Sequence, residues 1–187
     1  MRIISGKLKG KSLKFIKNLN TRPLKDSVKE NIFNILEHSN LIDIKFEKSD
    51  ILDLYSGFGS FGIECISRGA KKITFVEKNK TTFEILKKNL KELKIENYSK
   101  IYQAQVSSFL KKLDKNKFEI IFLDPPFAEN TYINELESIK KMDLCVRDHL
   151  IVIHRERKTN DNLTKIIKTI SVKNYGRSKI IFGSFLG

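Results

Sequence analysis

Apolar positions along the chain fall into two alternating rhythms from Asp50 onward, short continuous runs and longer stretches with a three-to-four-residue repeat. Short runs bounded by turn residues read as buried strands, and the helical repeat marks amphipathic helices. On this basis Ile51 to Tyr55 is a strand, Ser60 to Arg68 a helix ended by Gly69, and Lys72 to Glu77 a second strand. Asn79 stands at the N-cap of a long helix with Phe83, Leu86, Leu90 and Leu93 on one face, and Lys100 to Gln105 follows as a third strand. The alternation continues with a short helix Val106 to Leu113, a strand Phe118 to Leu123, a helix Tyr132 to Met142 and a strand Leu150 to His154. Strands alternating with helices imply parallel crossovers and an open α/β sheet. The end breaks the rhythm: Ile170 to Asn174 and Lys179 to Phe185 flank Tyr175-Gly176-Arg177-Ser178 and predict a terminal hairpin.

Ahead of this α/β pattern the chain behaves differently. Residues Ile3 to Ile16 alternate basic with apolar or small residues around Lys9-Gly10, which predicts a two-stranded hairpin carrying lysines. Thr21-Arg22-Pro23 breaks the chain, and Ser27 with Glu30 has capping-box spacing for a helix from Ser27 to Glu37.

Composition gives that first segment a purpose. The 187 residues carry a formal net charge of +14, which points to a polyanionic partner. Eight basic residues (Arg2, Lys7, Lys9, Lys11, Lys14, Lys17, Arg22 and Lys25) and no acid lie between Met1 and Lys25, so more than half of the net charge sits there. Such a segment suits sequence-independent contact with phosphates, for which Arg2, Lys7, Lys9, Lys11 and Arg22 are the candidates. Cys65 and Cys145 lie far apart in apolar surroundings, as reduced core thiols of a cytoplasmic protein would. No paired-cysteine or histidine-rich spacing suggests a metal, and no apolar stretch approaches the length of a membrane span or an export signal.

Two loops carry candidate chemistry. Asp53-Leu54-Tyr55-Ser56-Gly57-Phe58-Gly59-Ser60-Phe61-Gly62 occupies a strand-to-helix junction, where open α/β sheets bind ligands. Gly57 and Gly59 let the backbone turn and approach a ligand, and Glu77 at the next strand end offers acceptors for ribose hydroxyls. These features fit a dinucleotide and S-adenosylmethionine (SAM) equally. The second loop, Asp124-Pro125-Pro126-Phe127, is a rigid turn at a strand end. Its carboxylate and a nearby carbonyl can accept from an exocyclic amine while Phe127 stacks on the ring that bears it. One site holding an adenosyl cofactor and an amine-bearing ring suits methylation better than hydride transfer.

The whole chain resembles the bacterial RsmD-type family of small-subunit ribosomal RNA guanine-N2 methyltransferases. The resemblance runs through Arg2-Ile3-Ile4-Ser5-Gly6, Thr21-Arg22-Pro23, Val28-Lys29-Glu30 and Phe33-Asn34, the glycine loop through Ile63-Glu64, Ser67-Arg68-Gly69-Ala70 and Val76-Glu77. It ends with Phe122 to Phe127 and Tyr175-Gly176. It implies a Rossmann-like class I SAM-dependent methyltransferase: a seven-stranded, mostly parallel sheet with helices on both faces and an antiparallel last strand, plus the basic hairpin. The division implied is a contact segment over residues 1–25 and a methyltransferase domain over residues 26–187, acting as a monomer without a metal. It further implies 16S rRNA as partner, Asp124, Pro125 and Phe127 as catalytic residues, and Asp53, Tyr55, Gly57, Gly59, Glu77 and Gln105 as SAM contacts. Gln105 stands where related enzymes often carry Asp or Asn. His154 stands where an acid is common and receives no role, and His38 and His149 read as ordinary surface or packing residues. Alternatives from other classes are methylation of DNA adenine or cytosine, methylation of protein glutamine, and a non-catalytic ribosome assembly factor.

Overall fold

Seven strands pair into one sheet in the order β3-β2-β1-β4-β5-β7-β6. The computed structural model describes residues 1–16, 24–40, 42, 44–113 and 116–187. The strands are β1 (Asp50–Leu54), β2 (Lys72–Glu77), β3 (Ser99–Gln103), β4 (Phe118–Leu123), β5 (Cys145–Glu156), β6 (Ile167–Tyr175) and β7 (Ser178–Phe185). The first five run parallel, whereas β7 enters antiparallel between β5 and β6. The helices are α1 (Asp26–His38), α2 (Ser60–Ser67), α3 (Lys80–Leu93), α4 (Val106–Leu110) and α5 (Tyr132–Lys141).

The side-chain period of two along each strand divides the core. Ile51, Ile73, Phe75, Ile120, Phe122, Val152 and Phe182 face α1, α2 and α3, while Leu52, Leu54, Val76, Ile121, Leu123 and Ile153 face α4 and α5. Strands covered on both faces explain why β2 and β4 carry apolar residues at successive positions, Phe75-Val76 and Ile120 to Leu123. Both cysteines are buried, and burial pushes the Cys145 thiol up to about 12, so neither is a reactive thiolate.

The amino-terminal segment departs from the expected hairpin. Pairing is a single antiparallel bridge between Arg2 and Ser12, with Ile3 N donating to Lys11 O and Leu13 N to Met1 O. A 3-10 turn, Gly6–Leu8, fills the interval. The apolar members of the alternation, Ile3, Leu8 and Leu13, enter the same core as α1 and α2, so residues 1–16 are built into the α/β body rather than appended to it. Lys14 N donates to Asn89 Oδ1, and Asn89 Nδ2 returns to Lys14 O and to Phe58 O, fastening this segment to α3 and to the glycine loop.

The capping box at α1 does not form. The N-cap is Lys25, with no side-chain cap bond, because the helix begins two residues earlier than a Ser27 cap would require. Asn79 does cap α3, accepting from Thr82 N at 2.9 Å.

Candidate active site

Strand register brings the two loops together. Leu54 is paired with Val76 on β2 and with Leu123 on β4, and Leu123 is paired with Ile153 on β5. The next residue of each strand is Tyr55, Glu77, Asp124 or His154. These four therefore line one edge of the sheet, across the point where strand order reverses between β1 and β4.

The glycine loop is shaped by three left-handed residues, Tyr55 (φ 58°), Gly57 (φ 56°) and Gly59 (φ 85°). A side chain at Gly57 would meet nothing closer than 4.0 Å, so its backbone faces open space, whereas one at Gly59 would strike Leu86 of α3 at 2.5 Å. Gly62 serves a third purpose: a Cβ there would lie 2.3 Å from the Phe75 ring, so its absence lets α2 sit close on β2. Tyr55 is the only non-glycine member of the three, and its hydroxyl donates to Glu135.

Asp53 and Glu77 are both buried. Burial holds the Asp53 carboxyl well above the usual range; Gly62 N–H, which donates to Oδ2 at 3.0 Å, opposes this, and the charges of Asp124 and Glu77 add to it. Asp53 Oδ1 and Ser60 Oγ are the buried side-chain atoms without a partner among the described residues. A ligand carrying a cationic amine suits that vacant acceptor and would restore the ionised carboxylate. Burial likewise raises Glu77, against which Asn79 N–H and Gly57 N–H donate to its two oxygens at 2.7 and 2.9 Å. A carboxylate has about four lone-pair sites, so two remain for ribose hydroxyls. The donor set thus fits SAM. Gln105 lies just past β3 as the N-cap of α4, with its side chain exposed beside the Glu77 end of the sheet.

Opposite the glycine loop, the Asp124 turn is braced from beneath. Arg155, fully buried, donates from Nη1 to Pro126 O at 3.0 Å and from Nη2 to Phe127 O at 3.1 Å and Asn130 Oδ1 at 3.0 Å. Its Nε donates to Asp161 Oδ1 at 2.8 Å. The carbonyls flanking the wall are therefore spoken for, while no donor among the described residues reaches the Pro125 carbonyl. His154 Nδ1 lies 2.8 Å from Asp124 Oδ1, and the His154 ring meets Phe127 edge-on at 5.4 Å. This corrects the reading that left His154 without a role. Arg155 was missed as well, since in the sequence it is one of several charges, with Glu156, Arg157 and Lys158, that follow the apolar run Leu150 to Ile153.

Asp161 closes this brace. Burial alone would raise its carboxyl, but Lys179, Thr159, Tyr132 and Arg155 donate to it and bring it down to about 2. A folded value below the ordinary 3.8 means stabilisation that is complete above about pH 4 and is lost as pH falls towards 2. Asp161→Asn should cost about 2 kcal/mol at pH 7 in denaturant melts and flatten the loss of stability between pH 4 and pH 2.

The candidate phosphate contacts Arg2, Lys7, Lys9 and Lys11 are exposed on the amino-terminal segment, with Lys7 Nζ 4.1 Å from the Tyr98 ring centre. The segment leads towards the site: Phe15 meets Phe58 of the glycine loop at 6.5 Å. Arg22 lies outside the described residues. Among the described residues no cluster of side chains suits a metal ion, and no helix is long and apolar enough to cross a membrane.

The same fold occurs in known proteins. A sequence model of the family described as conserved hypothetical protein 95 matches residues 1–184. Ribosomal RNA small subunit methyltransferase D of Buchnera aphidicola (subsp. Acyrthosiphon pisum) is 35% identical over 156 residues, covering 83% of this chain and 78% of that protein. The Haemophilus influenzae protein of the same name is 34% identical over 159 residues, covering 84% and 79%. Among solved structures, a Haemophilus influenzae protein described as a candidate methylase superimposes with a TM-score of 0.79 at 30% identity, over 100% of this chain and 98% of that one. An Escherichia coli candidate methyltransferase gives 0.82 over 99% and 97%, and at 24% identity that likeness concerns the fold.

Proposed function

Because this chain belongs to the conserved hypothetical protein 95 family, the RsmD family of methyltransferases, we propose that it methylates the exocyclic N2 amine of a guanine in 16S ribosomal RNA. As a member of that family it is a SAM-dependent methyltransferase acting on ribosomal RNA. The site supports an exocyclic amine as the acceptor, and the finer assignment, to guanine N2, rests on the family resemblance.

The observation that carries the amine as methyl acceptor is the pair of acceptors left open at the Asp124 turn. Asp124 Oδ1 is taken by His154, so Oδ2 and the Pro125 carbonyl are available to the two hydrogens of an amino group. Phe127, half-buried beside them, offers a face for an extruded base, a contact typically worth about 1–3 kcal/mol. Bound SAM supplies a methyl group already activated on its sulfonium. Asp53, Glu77 and the Gly57 backbone would hold it across the switch point from the Asp124 turn. The residues at that turn then have two tasks: to fix the amine nitrogen in line with the methyl group, and to accept its proton at Asp124 Oδ2. A guanine amine is conjugated with its ring, so two acceptors on its hydrogens favour the pyramidal nitrogen that can attack.

The exposed lysines of the amino-terminal segment would grip phosphates without reading sequence, and the shape of the RNA would select the target. Neutralising Lys7, Lys9 and Lys11 together, as glutamines, should lower rRNA affinity and flatten the plot of log K against log salt by about 2 to 3, since each lost phosphate contact removes about 0.7 to 0.9 from that slope. An unchanged slope in filter binding would remove the phosphate grip from the account. Tritiated-SAM assays on rRNA, on duplex DNA and on a glutamine-bearing release factor test the substrate: label in the rRNA supports the proposal, and label in either other substrate alone overturns it.

A further inference from the structure

Three polar side chains form a line from the terminal hairpin to the base-holding turn. Ser178 opens β7, and its Oγ lies 2.9 Å from His154 Nε2; His154 Nδ1 lies 2.8 Å from Asp124 Oδ1. The His154 side chain is 10% exposed and is walled on one side by the Phe127 ring. The cations that follow His154 and Ser178 in sequence, Arg155 and Lys179, are both engaged at Asp161. A carboxylate can only accept, so a hydrogen bond from His154 to Asp124 puts a proton on Nδ1, and a ring with that single proton accepts at Nε2 from the Ser178 hydroxyl. That chain of donors selects one tautomer and one ring orientation.

We propose that His154 is a positioning residue for the methyl acceptor. By occupying Oδ1 it stops the Asp124 carboxylate from rotating and presents Oδ2, beside the Pro125 carbonyl, as a fixed pair of acceptors for an amino group. The carboxylate is only partly buried, with its side chain 21% exposed, so without this contact water would compete for its orientation. The proton released by the amine goes to Oδ2, because Oδ1 already holds the Nδ1–H; no proton needs to pass through the ring. Specificity follows from the same geometry. Two acceptors side by side welcome an –NH2 and repel a carbonyl oxygen, which has no hydrogen to give. The inference deepens the function proposed above and rests on it.

The contact is testable without turnover. In the ligand-free protein, 15N spectra of the His154 ring should show the Nδ1–H tautomer, and Asp124→Ala should release it to the mixture of tautomers typical of a free imidazole. In steady-state assays, His154→Ala should lower kcat about tenfold to a hundredfold, the range expected when a hydrogen bond to a charged group is lost, while SAM affinity by calorimetry stays unchanged. His154→Asn, whose Nδ2–H can occupy the place of Nδ1–H, should recover most of the rate, and Ser178→Ala should fall between wild type and His154→Ala. An Nε2–H tautomer in the wild type, or a folded His154→Asn as slow as His154→Ala, would overturn the inference. The spectra judge the His154 contact whatever the substrate. A wild type with the expected tautomer but no activity on rRNA would count against the proposed substrate alone.

Discussion

Replacing Asp124 by alanine is expected to lower methyl transfer by about two to four orders of magnitude while SAM binds as in the wild type. The side chain is asked to do two things, to orient the amine and to take its proton, and nothing else on the wall can stand in. The neighbouring carbonyls of Pro126 and Phe127 are occupied by Arg155, and the Pro125 carbonyl accepts a hydrogen bond but is far too weak a base to keep the proton. The residues proposed to hold SAM, Asp53, Glu77 and Gly57, lie on β1, on β2 and in the glycine loop, and their hydrogen bonds run to Gly62, Asn79 and one another rather than to the Asp124 side chain. Calorimetry with SAM and a single-turnover methylation assay on the same preparation separate the two effects. A variant that lost both would place Asp124 in cofactor binding instead.

The second large effect is on stability. Glu64, fully buried in α2, accepts from Ile4 N at 2.8 Å, Ser5 N at 2.9 Å and Arg68 Nε at 3.0 Å, and lies 3.3 Å from Lys29 Nζ. Lys29 is equally buried and donates to Arg2 O at 2.7 Å. Four donors thus meet one carboxylate, and two of them are the backbone of the amino-terminal segment. Glu64→Ala should cost about 3–5 kcal/mol, the usual penalty for leaving one partner of a buried pair alone. For a chain of this size that is a fall in Tm of roughly 6–20 °C. Burial already pulls the Lys29 ammonium below the ordinary lysine range, with Glu64 and then Asp26 opposing it. Without Glu64 the folded chain would hold that proton more weakly than the unfolded one, so the variant should regain stability as pH rises towards the ordinary lysine value of 10.5. Hydrogen exchange should locate the loss at residues 1–16. A melt unchanged from wild type would show that the cluster does not anchor the segment.

The same two sites show what sequence reasoning reaches. Strands β2 and β4 were legible to the residue because a parallel strand covered on both faces is apolar at successive positions, here Phe75-Val76 and Ile120 to Leu123, and the acids that follow these, Glu77 and Asp124, stand out against that background. Strand β5 was legible only from Leu150. Its earlier residues, Cys145 to His149, include exposed Arg147 and Asp148, and the register against β4 shifts between Phe118 and Ile120, so no period of two survives there. The partners of Glu64 and Lys29 were invisible for a different reason. A charge on a helix ordinarily reads as solvent-facing, and what buries these two is a segment some 60 residues away from Glu64 in sequence. His154 and Arg155 share that fate: both end an apolar strand, and only the register that sets them beside Asp124 and the Asp124 turn gives them work. The basic amino terminus was legible as charge, but its anchoring was not, since Ile3, Leu8 and Leu13 are too widely spaced to announce a shared core.

One experiment bears on the central claim, that the glycine loop and the Asp124 turn form a single site for methylating a guanine amine in small-subunit rRNA. Cells lacking this protein would be complemented with the wild type or with Asp124→Ala, and the 16S rRNA digested to nucleosides and mapped by mass spectrometry. The account predicts one N2-methylguanosine that is present with the wild type and missing both without the protein and with Asp124→Ala. A methylation pattern identical in all three, or a lost methyl group that resides on a ring nitrogen or a ribose, would contradict it.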